Sequence, residues 1–143
     1  MMQRKNDRRA APPPAEEEDE AMAEEESFTP SPGGRLIRFL VRHDRRVVVV
    51  RAADVDWMEA AGNYVILHKG GENHVLRESL LALEQRLDAR QFARVSRSAI
   101  VNLDRVTMLV PAEDHGFMIV LNDGVRLPLT RGLRYLQERL EQG

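Results

Sequence analysis

From Arg35 onward the chain is a succession of short apolar runs separated by turn signals, the pattern of strands with few helices. Arg35–Arg42 (RLIRFLVR) and Val47–Arg51 (VVVVR) read as paired strands, the second rich in Val, with His43–Arg46 as the turn. Ala60–Asn63 is a small-residue bend that tolerates positive φ and leads into a strand over Tyr64–His68. Lys69–Glu72 (KGGE) is a hairpin turn, and Asn73–Arg77 is its returning strand. Ser79 is placed to cap a short helix with Leu80, Leu83 and Leu87 on its apolar side. Val106–Val110 and Phe117–Leu121 read as strands, Asn122-Asp123-Gly124 as a turn, and Val125–Leu129 as the strand that returns from it, with Pro128 suited to a sheet edge. Thr130 is then expected to cap a final helix with Leu133, Leu136 and Leu140 as its stripe.

One stretch breaks this regularity. Gln91–Leu103 (QFARVSRSAIVNL) has apolar residues that can reach a core at Phe92, Val95, Ala99 and Val101. Arg94 and Arg97 stand in its middle, beside Ser96 and Ser98. A segment that must pack yet carries guanidinium groups at its centre suits a polar partner held at a fixed distance from a core. DNA fits that description best.

Charge sharpens the picture. Residues 1–34 hold four Lys/Arg against nine Asp/Glu, whereas residues 35–143 hold seventeen against fourteen, so the overall −2 hides an acidic tail on a mildly basic body. The tail combines Pro12–Pro14, Glu16–Glu20 and Glu24–Glu26 with a Pro/Gly linker at 30–34, a composition that predicts disorder. The body has sixteen Arg and one Lys. Arg is the flat, permanently charged fork suited to phosphate and guanine edges. Arg131 and Arg134 fall in the expected first turn of the last helix, where the helix dipole disfavours cations; a phosphate there would be held by free backbone N–H groups and both guanidiniums.

Other chemistries find little footing. The chain has no Cys, which removes disulfides, thiolate metal sites and a Cys nucleophile. Asp54 with Asp56, His68 with His74, and Asp114 with His115 are the nearest approaches to a catalytic or metal set, and none gains a third ligand or a nucleophile motif from the sequence. The expectation is a protein that is not an enzyme and needs no cofactor or metal. The apolar run Val47–Val50 is far short of a membrane span, and no secretory signal follows the basic Met1–Arg9, so a cytoplasmic location is the default.

Four segments in order, DWMEAAGNYVILH (56–68), LRESLLALEQRL (76–87), FARVSRSAIVNL (92–103) and LNDGVRLPLTRGLRYL (121–136), resemble the LytTR-type DNA-binding domain of bacterial response regulators and stand-alone transcription factors. The resemblance covers about Arg35 to Leu140. It implies a mostly β, elongated antiparallel fold with one or two short helices, in which loops rather than a recognition helix enter the major groove. It implies sequence-specific binding to double-stranded DNA at paired promoter repeats, often as a homodimer, by a transcriptional regulator. By motif position, Asn63, Tyr64, Arg97 and Arg131 are the base-contact candidates, and Arg94, Ser96, Ser98 and Arg134 the phosphate-contact candidates. Each has a plainer alternative: Asn63 serving the bend, Tyr64 packing on Trp57, Arg94 pairing with Glu78 or Asp104. Many family members have His where Ser96 stands, and many carry an N-terminal receiver domain, for which 34 residues are too few; the expected architecture is a tail over 1–34 and a stand-alone DNA-binding domain over 35–143. The rival expectation is an interaction module that pairs with another regulator, or binds through the Val47–Val50 edge.

Overall fold

A computed structural model of the protein describes residues 35–142. The expectations for residues 1–34 lie outside them. The described chain is built from antiparallel strands in three sheets, with two short helices. β1 (Arg38–His43) and β2 (Arg46–Arg51) form a hairpin. A five-stranded sheet has the order β5-β4-β3-β7-β6, from β3 (Trp57–Ala61), β4 (Tyr64–Lys69), β5 (Glu72–Leu76), β6 (Phe92–Ser96) and β7 (Ala99–Asn102). A three-stranded sheet has the order β10-β9-β8, from β8 (Val106–Pro111), β9 (Phe117–Leu121) and β10 (Arg126–Leu129). The helices are α1 (Leu80–Arg86) and α2 (Leu133–Gln142). This is the mostly β, antiparallel architecture expected from the sequence.

The central sheet separates two cores, and the period-2 alternation of its strands decides which residue serves which. Phe92 and Ile100 join Phe39, Val41, Val50, Met58 and Leu67, together with Leu80 and Leu83 of α1, in one core. Ala93, Val95, Ala99 and Val101 join Ile119, Leu121, Leu127 and Leu129, together with Leu136 of α2, in the other. Gln91–Leu103 is therefore a hairpin buried on both faces: Phe92 packs opposite to Val95, Ala99 and Val101 rather than beside them. Burial on both sides makes this hairpin the middle layer of residues 35–142.

The turns follow local chemistry. Asp44 opens the β1–β2 turn at φ 59°, and Gly70 (φ 59°) with Gly71 connects β4 to β5 in register Lys69↔Glu72. Pro128 lies in the edge strand β10, where the missing N–H removes no ladder bond needed elsewhere. The Ser79 hydroxyl accepts the Ala82 N–H at 3.1 Å, so the expected cap of α1 is present. Ser79→Ala should lower stability by about 1 kcal/mol, seen as a shifted urea midpoint at constant m.

Two expectations change, and one carboxylate finds its structural role. Thr130 is not a helix cap: its N–H and hydroxyl both bond to the Val95 carbonyl, at 2.9 and 3.3 Å, and α2 starts three residues later. Trp57, partly buried, packs against the second core, and its ring stacks on His68 (4.1 Å, 4°), not on Tyr64. Asp56, weighed with Asp54 as an approach to a catalytic or metal set, is buried and structural, accepting Arg105 Nε and the Gly70 N–H at 2.9 Å each.

Candidate nucleic-acid interface

The site is set by where the hairpins of the central sheet end. β3 runs up to a turn at Gly62 (φ 64°), which presents Asn63 and Tyr64; both are exposed, Tyr64 at 44%. β7 pairs antiparallel with β3 in register Glu59↔Ala99, so the β6–β7 turn at Arg97-Ser98 must emerge at the same end of the sheet. The Ala60 N–H donates to the Ser98 carbonyl at 2.9 Å and joins the two turns directly. The two hydrogen bonds from Thr130 to the Val95 carbonyl bring the β10–α2 junction, with Arg131, against the end of β6. Three chain segments far apart in sequence thus meet at one end of the sheet.

The β6–β7 turn is braced from within. The pairing register shifts between Arg94 and Ser96, a bulge that re-aims the turn. Arg94 donates Nε to the Ser96 carbonyl (3.2 Å) and Nη2 to the Arg97 carbonyl (2.9 Å). Ser96 is buried (7% exposed), and its Oγ accepts the Ser98 N–H at 3.2 Å. Arg97 is exposed, and its guanidinium has no hydrogen-bond or ion-pair partner among the described residues. A rigid turn that spends two neighbouring side chains on its own carbonyls and N–H groups, and leaves one guanidinium to solvent, is pre-organised to donate outward.

A carboxylate joins this turn to the junction before α2. Glu84 of α1 lies 3.5 Å from Arg94 Nη1 through Oε1 and 3.5 Å from Arg131 Nη2 through Oε2. Arg94 therefore pairs with Glu84, not with Glu78 or Asp104. Arg131 also lies over the Tyr135 ring at 4.6 Å, with Arg139 at 4.9 Å from the same centroid. Arg139 in turn donates Nη1 to the Ala89 carbonyl at 2.9 Å, tying α2 to the segment before β6. Arg131 precedes α2, so only Arg134 stands in its first turn, where it is exposed.

Asn63, Tyr64, Arg97, Ser98, Arg131 and Arg134 are all exposed; Arg94 and Ser96 face inward and support the turn. Sequence reasoning missed Glu84, Tyr135 and Arg139. For the last two a signal existed: in a helix expected to start after Thr130, 131, 135 and 139 are spaced four apart, the interval that stacks side chains on one face, and Arg131 meets Tyr135 although it lies just before the helix. Glu84 had none, since its partners lie on other elements. The two histidine candidates do not meet: His68 is opposite Asn73 and His74 opposite Leu67, which puts them on opposite faces, where they contact Glu59 and Glu72 respectively.

A β-rich scaffold offering clustered guanidiniums from loops is the construction of a nucleic-acid-binding module. Comparison with known proteins fixes the kind: the model of the LytTr DNA-binding domain matches residues 45–141, and the chain belongs to that family. Its fold is that of the LytTr DNA-binding domain of a Bacillus cereus response regulator, with a TM-score of 0.65 at 21% identity over 73% of this chain and 97% of the other. Among curated relatives, it is 33% identical over 97 residues to the CO-responsive transcriptional regulator RcoM of Rhodospirillum rubrum, covering 68% of this chain and 41% of that protein. It is 25% identical over 88 residues to the sensory transduction protein LytT of Bacillus anthracis, covering 62% and 36%. The chain thus spans well under half the length of these relatives. The matched region is a DNA-binding domain of transcription regulators. Among the described residues no helix is long and apolar enough to cross a membrane.

Proposed function

We propose that residues 35–143 bind double-stranded DNA sequence-specifically by inserting loops into the major groove, and that the protein is a transcriptional regulator acting at paired promoter repeats as a homodimer. The observation that carries this reading is the meeting of three exposed segments at one end of the central sheet, fixed by the Ala60–Ser98 and Thr130–Val95 hydrogen bonds. Arg97 is the principal base reader, donating to guanine O6 and N7, with Arg131 second and Asn63 and Tyr64 reading from the neighbouring turn. Arg134 and Ser98 hold phosphates. Arg94 and Ser96 shape the turn that carries Arg97, and bear on phosphate only through it. The expected site of action is the cytoplasm.

Selection of bound sequences from random duplex DNA, followed by mobility shifts, tests the reading. A common motif should emerge as two spaced copies, and affinity should fall steeply with salt because phosphate contacts release counterions. Binding that is absent, or insensitive to salt, would defeat it. Arg134→Ala should weaken binding to all sequences alike and reduce the magnitude of the salt slope by about 1.

A second reading has one observation in its favour. The outer face of the β1–β2 hairpin exposes Leu40 directly opposite Val49, with Val47 beside them. In that reading the face, rather than the loops, docks another regulator. Retained DNA recognition in a Leu40→Ser/Val49→Thr variant would separate the two.

A further inference from the structure

Neither the sequence pattern nor the family assigns a role to Glu84, yet its carboxylate is the point at which the two main DNA-facing segments are joined. Its Oε1 faces Arg94, which holds the Arg97 turn, and its Oε2 faces Arg131 at the junction before α2, at 3.5 Å in each case. The two halves of this bridge are not equivalent. Arg94 has two further hydrogen bonds to turn carbonyls, at 3.2 and 2.9 Å, and its side chain is only 21% exposed. Arg131 has no other hydrogen bond among the described residues, only the Tyr135 ring beneath it, and its side chain is 42% exposed. An exposed pair at 3.5 Å is weak and easily exchanged. The carboxylate also borders a cavity of about 150 Å³ shared with Arg94, Tyr135 and Arg139, so dense packing does not oppose its movement.

We infer that Glu84 is a positioning residue that sets Arg131 against Arg97 in the free protein and gives up Arg131, but not Arg94, when DNA binds. The inference rests on the loop-reading proposal above. Without DNA, the shared carboxylate offsets the repulsion between Arg94 and Arg131 and keeps Arg131 from pairing with phosphates indiscriminately. At a cognate site, a guanine edge replaces Glu84 as the partner of Arg131, and Tyr135 keeps the guanidinium plane in place during the exchange. At a wrong site the replacement partner is missing and Glu84 retains Arg131. A carboxylate beside two DNA-facing arginines then acts as a competitor that only the correct ligand displaces, the repulsive element that specificity often needs.

The test uses the full chain with Glu84→Gln and Glu84→Asp, titrated against the selected site and a scrambled duplex at several salt concentrations. Gln keeps the shape and removes the charge. It should tighten binding to scrambled DNA several-fold, increase the magnitude of the salt slope there by about 1, and reduce the ratio of selected to scrambled affinity by about tenfold. Asp keeps the charge but is too short to reach both arginines. It should reduce the ratio without tightening scrambled binding by more than the assay error. Thermal melts establish that both variants fold, and the side-chain Nε–H signal of Arg131 in the DNA-free protein should move in both. Equal tightening on the two duplexes by Gln, with the ratio unchanged and Asp behaving as wild type, would show that Glu84 contributes net charge alone and would overturn the inference. Wild-type protein that does not distinguish the two duplexes would instead overturn the loop-reading proposal, so the two failures are told apart by the control.

Discussion

Arg97→Ala should reduce discrimination at one base pair of the selected site by about 1–3 kcal/mol, on the order of 5- to 150-fold, with a much smaller loss on scrambled DNA. The size follows from geometry. The guanidinium sits at the tip of a turn whose backbone is already held by Arg94 and by the Ser96–Ser98 contact. No side-chain bond within the described chain is lost on truncation, and the turn keeps its shape. The loss should therefore appear in binding and not in the melting curve. Arg97→Lys separates charge from form: an ammonium retains the attraction to phosphate but cannot present two parallel donors to one guanine edge. It should bind scrambled DNA as wild type does and discriminate almost as poorly as Arg97→Ala. Arg94→Ala should differ from both. It removes the brace on the Ser96 and Arg97 carbonyls as well as the Glu84 pair, so discrimination should fall even though Arg94 faces inward. Selection experiments on the three variants give the result directly. An unchanged motif with Arg97→Ala and Arg97→Lys would remove Arg97 from the base-reading role.

The reason Arg97 could be singled out from sequence is local. It stands between two serines in a largely apolar stretch, and it points outward because it lies in the turn between β6 and β7; strand alternation alone would have placed it on the face of Val95 and Ala99. Strand boundaries around KGGE and NDG were legible for a similar reason: the turn chemistry fixes register within a few residues. The division into two cores was not legible. Strands buried on both faces carry no polar face to mark their orientation, so β6 and β7 look like generic apolar runs until β8–β10 and α1 are placed on either side. The role of Thr130 was misread because a Thr before a helical stripe is the ordinary cap signal; the competing acceptor, the Val95 carbonyl, is 35 residues away and invisible to local pattern. Glu84 was hidden by the same long range. Its partners are 10 and 47 positions distant, and a Glu in a short amphipathic helix otherwise reads as a solvated face. What the sequence carries well is therefore the identity of the tips, and what it carries poorly is the bracing that aims them.

The largest effect on stability is expected far from those tips, at Asn102. It is the last residue of β7, 0% exposed, and it closes the opposite end of the central sheet. Its Nδ2 donates to the carbonyls of Ala53 (3.2 Å) and Val55 (2.9 Å), and its Oδ1 accepts the Asp104 N–H at 3.0 Å. One side chain thus satisfies the short 3-10 turn at Ala52–Asp54 and caps the one at Leu103–Arg105. Arg105 Nη2 also reaches the Ala53 carbonyl, at 3.2 Å, so truncation leaves Val55 O and Asp104 N–H as the groups deprived of this partner. At about 1–3 kcal/mol for the buried Val55 carbonyl left unpaired, with a smaller term of about 1 kcal/mol for the part-buried Asp104 N–H, Asn102→Ala should destabilise the protein by about 2–4 kcal/mol. Asn102→Asp should do no better, because it sets a carboxylate against two carbonyl oxygens while restoring only the acceptor. Asp54→Ala, on the exposed side of the same 3-10 turn, should stay within about 0.5 kcal/mol of wild type. Urea titrations at fixed temperature measure all three, and a loss below about 1 kcal/mol for Asn102→Ala would mean that neighbouring groups or water replace the network. Because β3 and β7 run between this network and the Arg97 turn, the DNA discrimination ratio of Asn102→Ala, taken well below its melting temperature, should match wild type. A stability defect with intact recognition would show that the two ends of the sheet are independent, one holding the fold together and the other carrying the loops.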